Sequence, residues 1–490
     1  MTVDRDEYAL AVIGGGPAGM SAARAAADAG VPTVLLDERP TLGGQIYKQP
    51  GPGFRVVDAR ALGGQWRSGR RLIDAAESSP VDIRLRTSVV SLEPGPGGGW
   101  SLALHSDGEP VRLLGVRRVV IAAGANDRPV SFPGWTLPGV ITAGGLQTLA
   151  KTQRVLPGER MVFAGSGPVA LAFPAQLAGF GARIVVALEA GPAPRAADLV
   201  RIAGSARGNL TLLRDAAKYR AALLRHRVPL RYGRMVVRAE GERRVQQVVH
   251  AAVDRAWRVV PGTEQTIQAD LLCLGYGFVP STELLRLVGC TFADDDSLGG
   301  PVVVKDDWGR TGVDGVYAAG DGTGVEGSYV AIDEGRIAGL AAAMDDGRLT
   351  TPDAVAAAAP ARKRIVRRRA LAAATARMFR VGDGVYRLAD DSTVICRCEE
   401  VRGDELARAI TASADISVVK AMTRAGMGPC QGRNCQRQIA AMISRATGDP
   451  IGRVAVPTAR MPVRPVPISA IADHAITDPG LFASPGGDDD

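Results

Sequence analysis

Short apolar runs that end in glycine recur along this chain of 490 residues and set its organisation. Tyr8 to Ile13 is one such run, ending at Gly14. Small residues then repeat at helical spacing from Pro17 to Ala29, and Val31 to Leu36 is a second strand-like run. Together they predict a β-α-β unit opening a parallel sheet. Arg117 to Ala123 is a further apolar strand, running into Gly124, Pro129, Pro133, Gly134 and Pro138, which reads as the passage from one domain to the next. The β-α-β pattern then repeats, with a strand from Arg160 to Ala164, a glycine turn with a helix after it, and a strand from Arg183 to Leu188. Buried strands return at Asp270 to Leu274 and Gly315 to Ala319, followed by a helical run from Tyr329 to Met344.

The expected architecture is therefore α/β, with two dinucleotide-binding folds, the second inserted in the first. Residues 1–155 and 269–345 form the outer fold and 156–268 the inner one. Residues 346–390 read as a helical connector, 391–450 as a small, mainly helical unit carrying cysteines, and 451–490 as a Pro-containing tail whose last dozen residues are expected to be disordered.

Composition narrows the function. With 46% apolar residues the chain can bury several cores. No run of about 18 apolar residues is present to cross a bilayer, and Met1 to Asp6 lack the features of a signal peptide; a soluble, cytoplasmic protein is expected. The net charge of +8 comes mostly from scattered arginine. The one dense basic run, Arg362, Lys363, Arg364, Arg367, Arg368 and Arg369, lies in an Ala-rich helical pattern without interleaved aromatics. It reads as a solvated or subunit-facing helix, and no nucleic-acid role is expected.

The first glycine turn, Gly14-Gly15-Gly16-Pro17-Ala18-Gly19, follows a strand and opens a helix, with Asp37 lying 18 residues past Gly19 at the end of the next strand. In that context the first glycine permits a tight turn, the second lets backbone approach a pyrophosphate, and the third lets helix and strand pack closely. The phosphates then meet the positive end of the helix, and Asp37 or Glu38 accepts ribose hydroxyls. A second carboxylate, Asp321, stands after Gly320 in the strand-turn Gly315 to Gly322 and provides another hold on the cofactor. This pair of sites resembles the FAD domain of glutathione-reductase-like flavoproteins, and Val119 to Ala123 and Gly124 resemble that family's domain crossing. The disulfide-reducing members need a Cys pair beside the flavin; here Gly43-Gly44-Gln45-Ile46-Tyr47 replaces it, which removes the nucleophile.

The second glycine turn runs from Gly165 through Gly167 to Ala170, with Glu189 near the ribose position. That pattern suits NAD, but Pro174 falls inside the expected helix and would kink it. Nicotinamide binding and a retained but repurposed pocket both stay open. Near the C-terminus Cys396, Cys398, Cys430 and Cys435 supply four thiolates in two short loops. Four soft ligands suit either tetrahedral zinc or an iron-sulfur cluster, and the C-x-C and C-x4-C spacings are less typical of zinc.

Longer stretches carry a more specific resemblance. Asp37-Glu38-Arg39-Pro40 with Gly43-Gly44-Gln45, Phe132 to Val140, Gly275 to Pro280, Cys396 to Val401, Arg424 to Arg433 and Pro462 to Pro467 resemble the FAD-containing α subunits of heteromeric amine dehydrogenases. These include hydrogen cyanide synthase, opine oxidases, hydroxyproline and proline dehydrogenase complexes and, more distantly, sarcosine oxidase. The resemblance implies that Gly14, Gly16, Gly19, Asp37 and Asp321 hold FAD, and that Cys396, Cys398, Cys430 and Cys435 hold a 2Fe-2S cluster. It implies a partner β subunit like a D-amino-acid oxidase and leaves room for a small ferredoxin-like γ subunit. FMN, ATP or NAD(P) remain as alternative ligands of the second fold. Two rival readings are a stand-alone NAD(P)H-dependent flavin oxidoreductase and a zinc-stabilised scaffold flavoprotein.

Overall fold

The computed structural model describes residues 8–59 and 62–477. The charged start and the acidic terminus for which disorder is expected lie outside the described residues.

Five parallel strands form the first sheet, in the order Val316–Ala318, Arg118–Ile121, Leu10–Ile13, Thr33–Leu36, Val81–Arg84. Alternation along these strands buries both faces. Leu10, Val12, Leu35 and Val120 pack against the helices Pro17–Asp28 and Ser328–Asp345, while Ala11, Ile13, Val34, Leu36 and Ile121 enter a separate core on the other side. That side is roofed by a three-stranded antiparallel sheet, Thr87–Pro94, Trp100–Ser106 and Arg112–Val116, a sheet the periodicity leaves unassigned.

The second fold repeats the plan with five parallel strands, ordered Leu230–Tyr232, Ile184–Glu189, Met161–Gly165, Leu271–Gly275, Val140–Thr142. Two of these strands correct the expected boundaries. Val140–Thr142 and Leu271–Gly275 pair with each other inside the second sheet, so the inner fold takes in residues expected in the outer one. The crossing is instead the antiparallel pair Ala125–Asp127 and Phe278–Pro280. The three-residue strand at 140 is preceded by the Gly and Pro residues of 129–139, which conceal any period. Pro174 lies within Pro168–Gly179, and that helix nevertheless runs unbroken.

The connector is one helix, Thr351–Phe379. Thr350 caps it by accepting from the Asp353 N–H, and its alanines carry high helix propensity. In its basic run Lys363, Arg364, Arg367 and Arg369 are exposed, in keeping with the expected solvated or subunit-facing helix, and several of the arginines also contact their own chain. Arg364 makes a forked contact with the buried Asp333, and Arg369 reaches Glu326 and Glu334. The guanidinium carbons of Arg362 and Arg368 lie 4.3 Å from the ring centres of Trp308 and Tyr329. The charges bind the helix to its own chain.

The C-terminal unit packs the helices Gly403–Ala412, Ile416–Thr423 and Gln436–Thr447 around Ile395, Leu406, Val419 and Ile439. Beyond it the tail returns to the first fold, where Val463 is buried, its N–H donates to the Val90 carbonyl, and Arg464 pairs with Glu38 at 2.8 Å. Among the described residues no helix is long and apolar enough to cross a membrane.

Candidate functional site

The first glycine turn is built by three different requirements. Gly14 has φ +108°, and a Cβ there would lie 2.4 Å from the Ala122 carbonyl oxygen; one on Gly19 would lie 1.7 Å from the Gly14 carbonyl oxygen. Both glycines let the helix sit directly on the sheet. Gly16 differs. It has an ordinary φ of −78°, is itself partly exposed, and its Cβ would meet only the Gly44 Cα, at an ordinary contact distance of 3.8 Å, so the helix start is only lightly covered. Pro17 fills the first helical position, where its missing N–H costs nothing. Ala18 is buried under Gly320, and Gly44 closes the rim against Gly16 while Gln45 is exposed beyond it. An open cradle of backbone N–H groups at a helix start fits the pyrophosphate of a dinucleotide such as FAD.

The carboxylates around the cradle do different things. Asp37 Oδ2 accepts from the Gly15 N–H at 2.5 Å and Oδ1 from the Arg39 N–H at 2.7 Å, and burial pushes its pKa up. Each oxygen has a further lone pair for a ribose hydroxyl. Glu38 points instead to Arg464 of the tail. Asp321 accepts from the Glu326 and Gly327 N–H groups at 3.1 and 2.9 Å, and so shapes the loop that starts Ser328–Asp345. Gly124, next to the partly buried Ala123, has φ +69° and accepts from the Ser281 N–H, with Gly322 against it. Beside the cradle the buried Lys48 escaped the sequence reading, and Tyr47, named there only within the segment that replaces the cysteines, is buried next to it. The signal available was their place three and four residues after Gly44.

At the second turn, Glu189 Oε2 accepts from the Gly167 N–H at 3.0 Å and Oε1 from the Gly191 N–H at 2.7 Å. Burial pushes this carboxyl up to about 7. Gly165 is packed against the Gly275 carbonyl, and Ala170 is fully buried. Gly167, unlike Gly16, is buried. A Cβ on it would lie 3.8 Å from the Cβ of Phe379, and one on Gly191 would lie 2.4 Å from the Met378 carbonyl oxygen. The end of the connector helix covers the turn.

The fold brings the four C-terminal cysteines together as two pairs. Cys396 lies beside Cys435 and Cys398 beside Cys430, and Cys435 is close enough to feel the charge of the other three. The Cys435 contact, with N–H groups of Gly426, Glu399 and Cys398, holds Cys396 at about 6 against the opposing effect of burial. Glu400 and Gln431 adopt left-handed φ of +56° and +51° in these loops, and Arg424, at +63°, is the left-handed cap that ends the helix Ile416–Thr423. A Cβ on Gly428 would come within 2.4 Å of the Cys398 Cβ. Among the described residues no group of three His, Cys, Asp or Glu side chains is arranged to hold a single metal ion. Four thiols brought together on two loops, with N–H donors beside them, suit ligation by soft-metal chemistry.

The cysteine unit is anchored near the cradle. Arg433, between Cys430 and Cys435, pairs with Glu283 at 2.7 Å, and Glu283 lies two residues beyond Ser281, which touches Gly124. Arg437 adds contacts to Asp294 and Asp296. The other two cysteines, Cys273 and Cys290, are buried with their thiols pushed up, and neither forms a disulfide.

The model of the pyridine nucleotide-disulphide oxidoreductases matches residues 8–347. The chain belongs to that family. Within it, the redox cysteine pair is replaced as the sequence indicates, and a second match, to the sarcosine oxidase A3 domain, covers residues 391–474. That match runs past residue 450, the expected end of the cysteine unit, and includes the docked tail. Among relatives, hydrogen cyanide synthase subunit HcnB of Pseudomonas aeruginosa is 33% identical over 475 residues, covering 94% of this chain and 97% of that one. An opine oxidase subunit from Agrobacterium tumefaciens is 31% identical, covering 99% of this chain and 95% of that one. These are members of the group the sequence resemblance names. Of solved structures, L-proline dehydrogenase from P. horikoshii superposes with a TM-score of 0.67 over 94% of this chain and 79% of that one, at 20% identity, a likeness of fold.

Proposed function

We propose that the chain is the electron-transfer subunit of a heteromeric amine, amino-acid or opine dehydrogenase, carrying FAD in the first cradle and a 2Fe-2S cluster on Cys396, Cys398, Cys430 and Cys435. A partner subunit like a D-amino-acid oxidase takes hydride from the C–N bond. The observation that carries this reading is the pairing of four thiols in a unit fastened, through Arg433 and Glu283, beside the cradle. When bound, FAD supplies two-electron chemistry and the cluster a one-electron exit. The chain's own part is to hold them. Gly16 leaves room for the pyrophosphate, Asp37 offers acceptors to the ribose, and the loop N–H groups stabilise the thiolates. The free thiols suit a reducing compartment, and we place the complex in the cytoplasm.

Native purification tests the reading. A copurifying amine-oxidising flavoprotein, with about two irons and two acid-labile sulfides per chain, is expected. Cys430→Ser should lose the iron and retain FAD. Zinc without sulfide would establish the scaffold reading. Flavin bleaching by NADH under anaerobic conditions would establish the stand-alone reductase. Turnover of proline, hydroxyproline, glycine, sarcosine or opines by this chain alone, at the rate of the complex, would remove the need for a partner.

A further inference from the structure

A cavity of about 320 Å³ lies between the two folds, apart from both glycine turns. Its walls come from the loop after Gly44, from the start of Gly63–Glu77, from Thr148–Gln153 and from the helices Pro168–Gly179 and Leu210–Arg225. Four cationic side chains line it, Lys48, Lys151, Arg154 and Lys218, and among the described residues no acidic one does. The nearby Asp215 pairs with exposed Lys218 at 3.8 Å, and Asp127, facing Lys48, is engaged by the Gly144 N–H.

The hydrogen bonding of the cavity is one-sided. Lys48, 6% exposed, donates to the Gly144 carbonyl and Thr148 Oγ1, which leaves one of its three N–H groups. Lys151 donates to Gln65 Oε1 at 3.1 Å, which leaves two. The indole N–H of Trp66 is buried with no partner among the described residues. Thr148, which holds the Lys48 ammonium, and Lys151 lie three residues apart on one helical segment, so the two amines share a wall. Enclosing a buried cation, a partly buried one and a buried indole N–H with so few acceptors is costly unless something supplies them.

We propose that this cavity binds a small organic oxyanion, a carboxylate or phosphate held by Lys48, Lys151 and the Trp66 indole N–H. Tyr47 and Phe180 contribute aromatic wall, which suits a ligand with an apolar body. Burial supports the assignment, holding Lys48 at about 7 and Lys151 at about 8 in the absence of an anion. Because Lys48 shares its loop with Gly44, occupancy should also be felt at the flavin cradle.

The test uses full-length, FAD-loaded protein titrated with inorganic phosphate and, separately, glutarate, followed by calorimetry and flavin absorbance. At least one probe is expected to bind with a Kd below about 1 mM, and the preferred probe identifies the anion as phosphate or carboxylate. Lys151→Met should weaken it at least tenfold and Trp66→Phe several-fold. Far-UV circular dichroism of each variant controls for folding, and Trp66→Phe provides the reading if Lys151→Met fails to fold. The proposal is overturned if neither probe binds, or if binding is indifferent to Lys151 and Trp66. Binding only to flavin-free protein would also overturn it, by assigning the cavity to the flavin itself. None of these outcomes depends on the cluster or on a partner subunit.

Discussion

The two glycine turns of this chain begin alike and end differently. Each follows the central strand of a parallel sheet, and each has a carboxylate at the end of the neighbouring strand bonded to a turn N–H. Asp37 reaches Gly15; Glu189, one methylene longer, reaches Gly167, one residue further along. At the first turn the helix start at Gly16 is partly exposed, and at the second Gly167 is buried, with Phe379 against it and Met378 against the nearby Gly191. A dinucleotide fingerprint therefore specifies a turn, while the occupant depends on what the rest of the chain places in front of it.

The comparison is broken most decisively at Gly16. Its φ is unstrained, so Gly16→Val tests space alone, and FAD content should fall from stoichiometric to undetectable by flavin absorbance. A yellow variant would mean the open turn is not the flavin site.

The next largest effect belongs to Glu189. Its carboxyl is raised from 4.5 to about 7 in the fold, so the unfolded chain loses its proton first. This contribution to stability is present below pH 4.5 and is lost as pH rises to about 7, by at most about 3 kcal/mol. Urea unfolding at about pH 5 and about pH 8, on either side of most of that window, should show a smaller fall for Glu189→Gln than for wild type. Equal falls would show that the covered turn holds its carboxylate ionised.

Asp321→Ala removes an acceptor from two loop N–H groups but leaves the cradle at Gly16 intact. FAD affinity should drop about 10- to 100-fold, equivalent to roughly 1.4–2.8 kcal/mol, measured by flavin release on dilution. Unchanged retention would assign Asp321 to the loop alone. The smallest effect is expected at the cover itself. Phe379→Ala should leave FAD untouched and produce weak, saturable NADH fluorescence that wild type lacks, with a Kd of about 1 mM. NADH binding of the same strength in wild type would show that Phe379 excludes nothing.

Much of this was legible in the sequence because it is local. A strand, a glycine turn and an acidic residue at fixed spacing carry their own geometry, and the first four strands named for the first sheet lie where the apolar runs place them. The C-x-C and C-x4-C loops likewise meet. What the sequence did not disclose depends on residues far apart. Phe379 lies more than 200 positions from Gly167, and Arg464 more than 400 from Glu38; no periodicity encodes such contacts. Val140–Thr142 was hidden because a three-residue strand has no measurable alternation. The intrachain contacts of the exposed basic run were hidden for a related reason: a charge pattern gives no sign that Asp333, Glu326 and Trp308 are waiting on other parts of the chain.

The connector helix has a mechanical consequence. Two short strands are the chain's crossings between the dinucleotide folds, which by itself would make a hinge. The helix Thr351–Phe379 splints that hinge: Arg364 and Arg369 clamp it to the outer fold, while the Arg367 carbonyl takes the Asn209 amide and Phe379 rests on the inner one. A swing of one fold against the other would have to release these contacts together. The two folds should thus move as a single body, with the spacing between the flavin cradle and the inner fold set by a rigid strut.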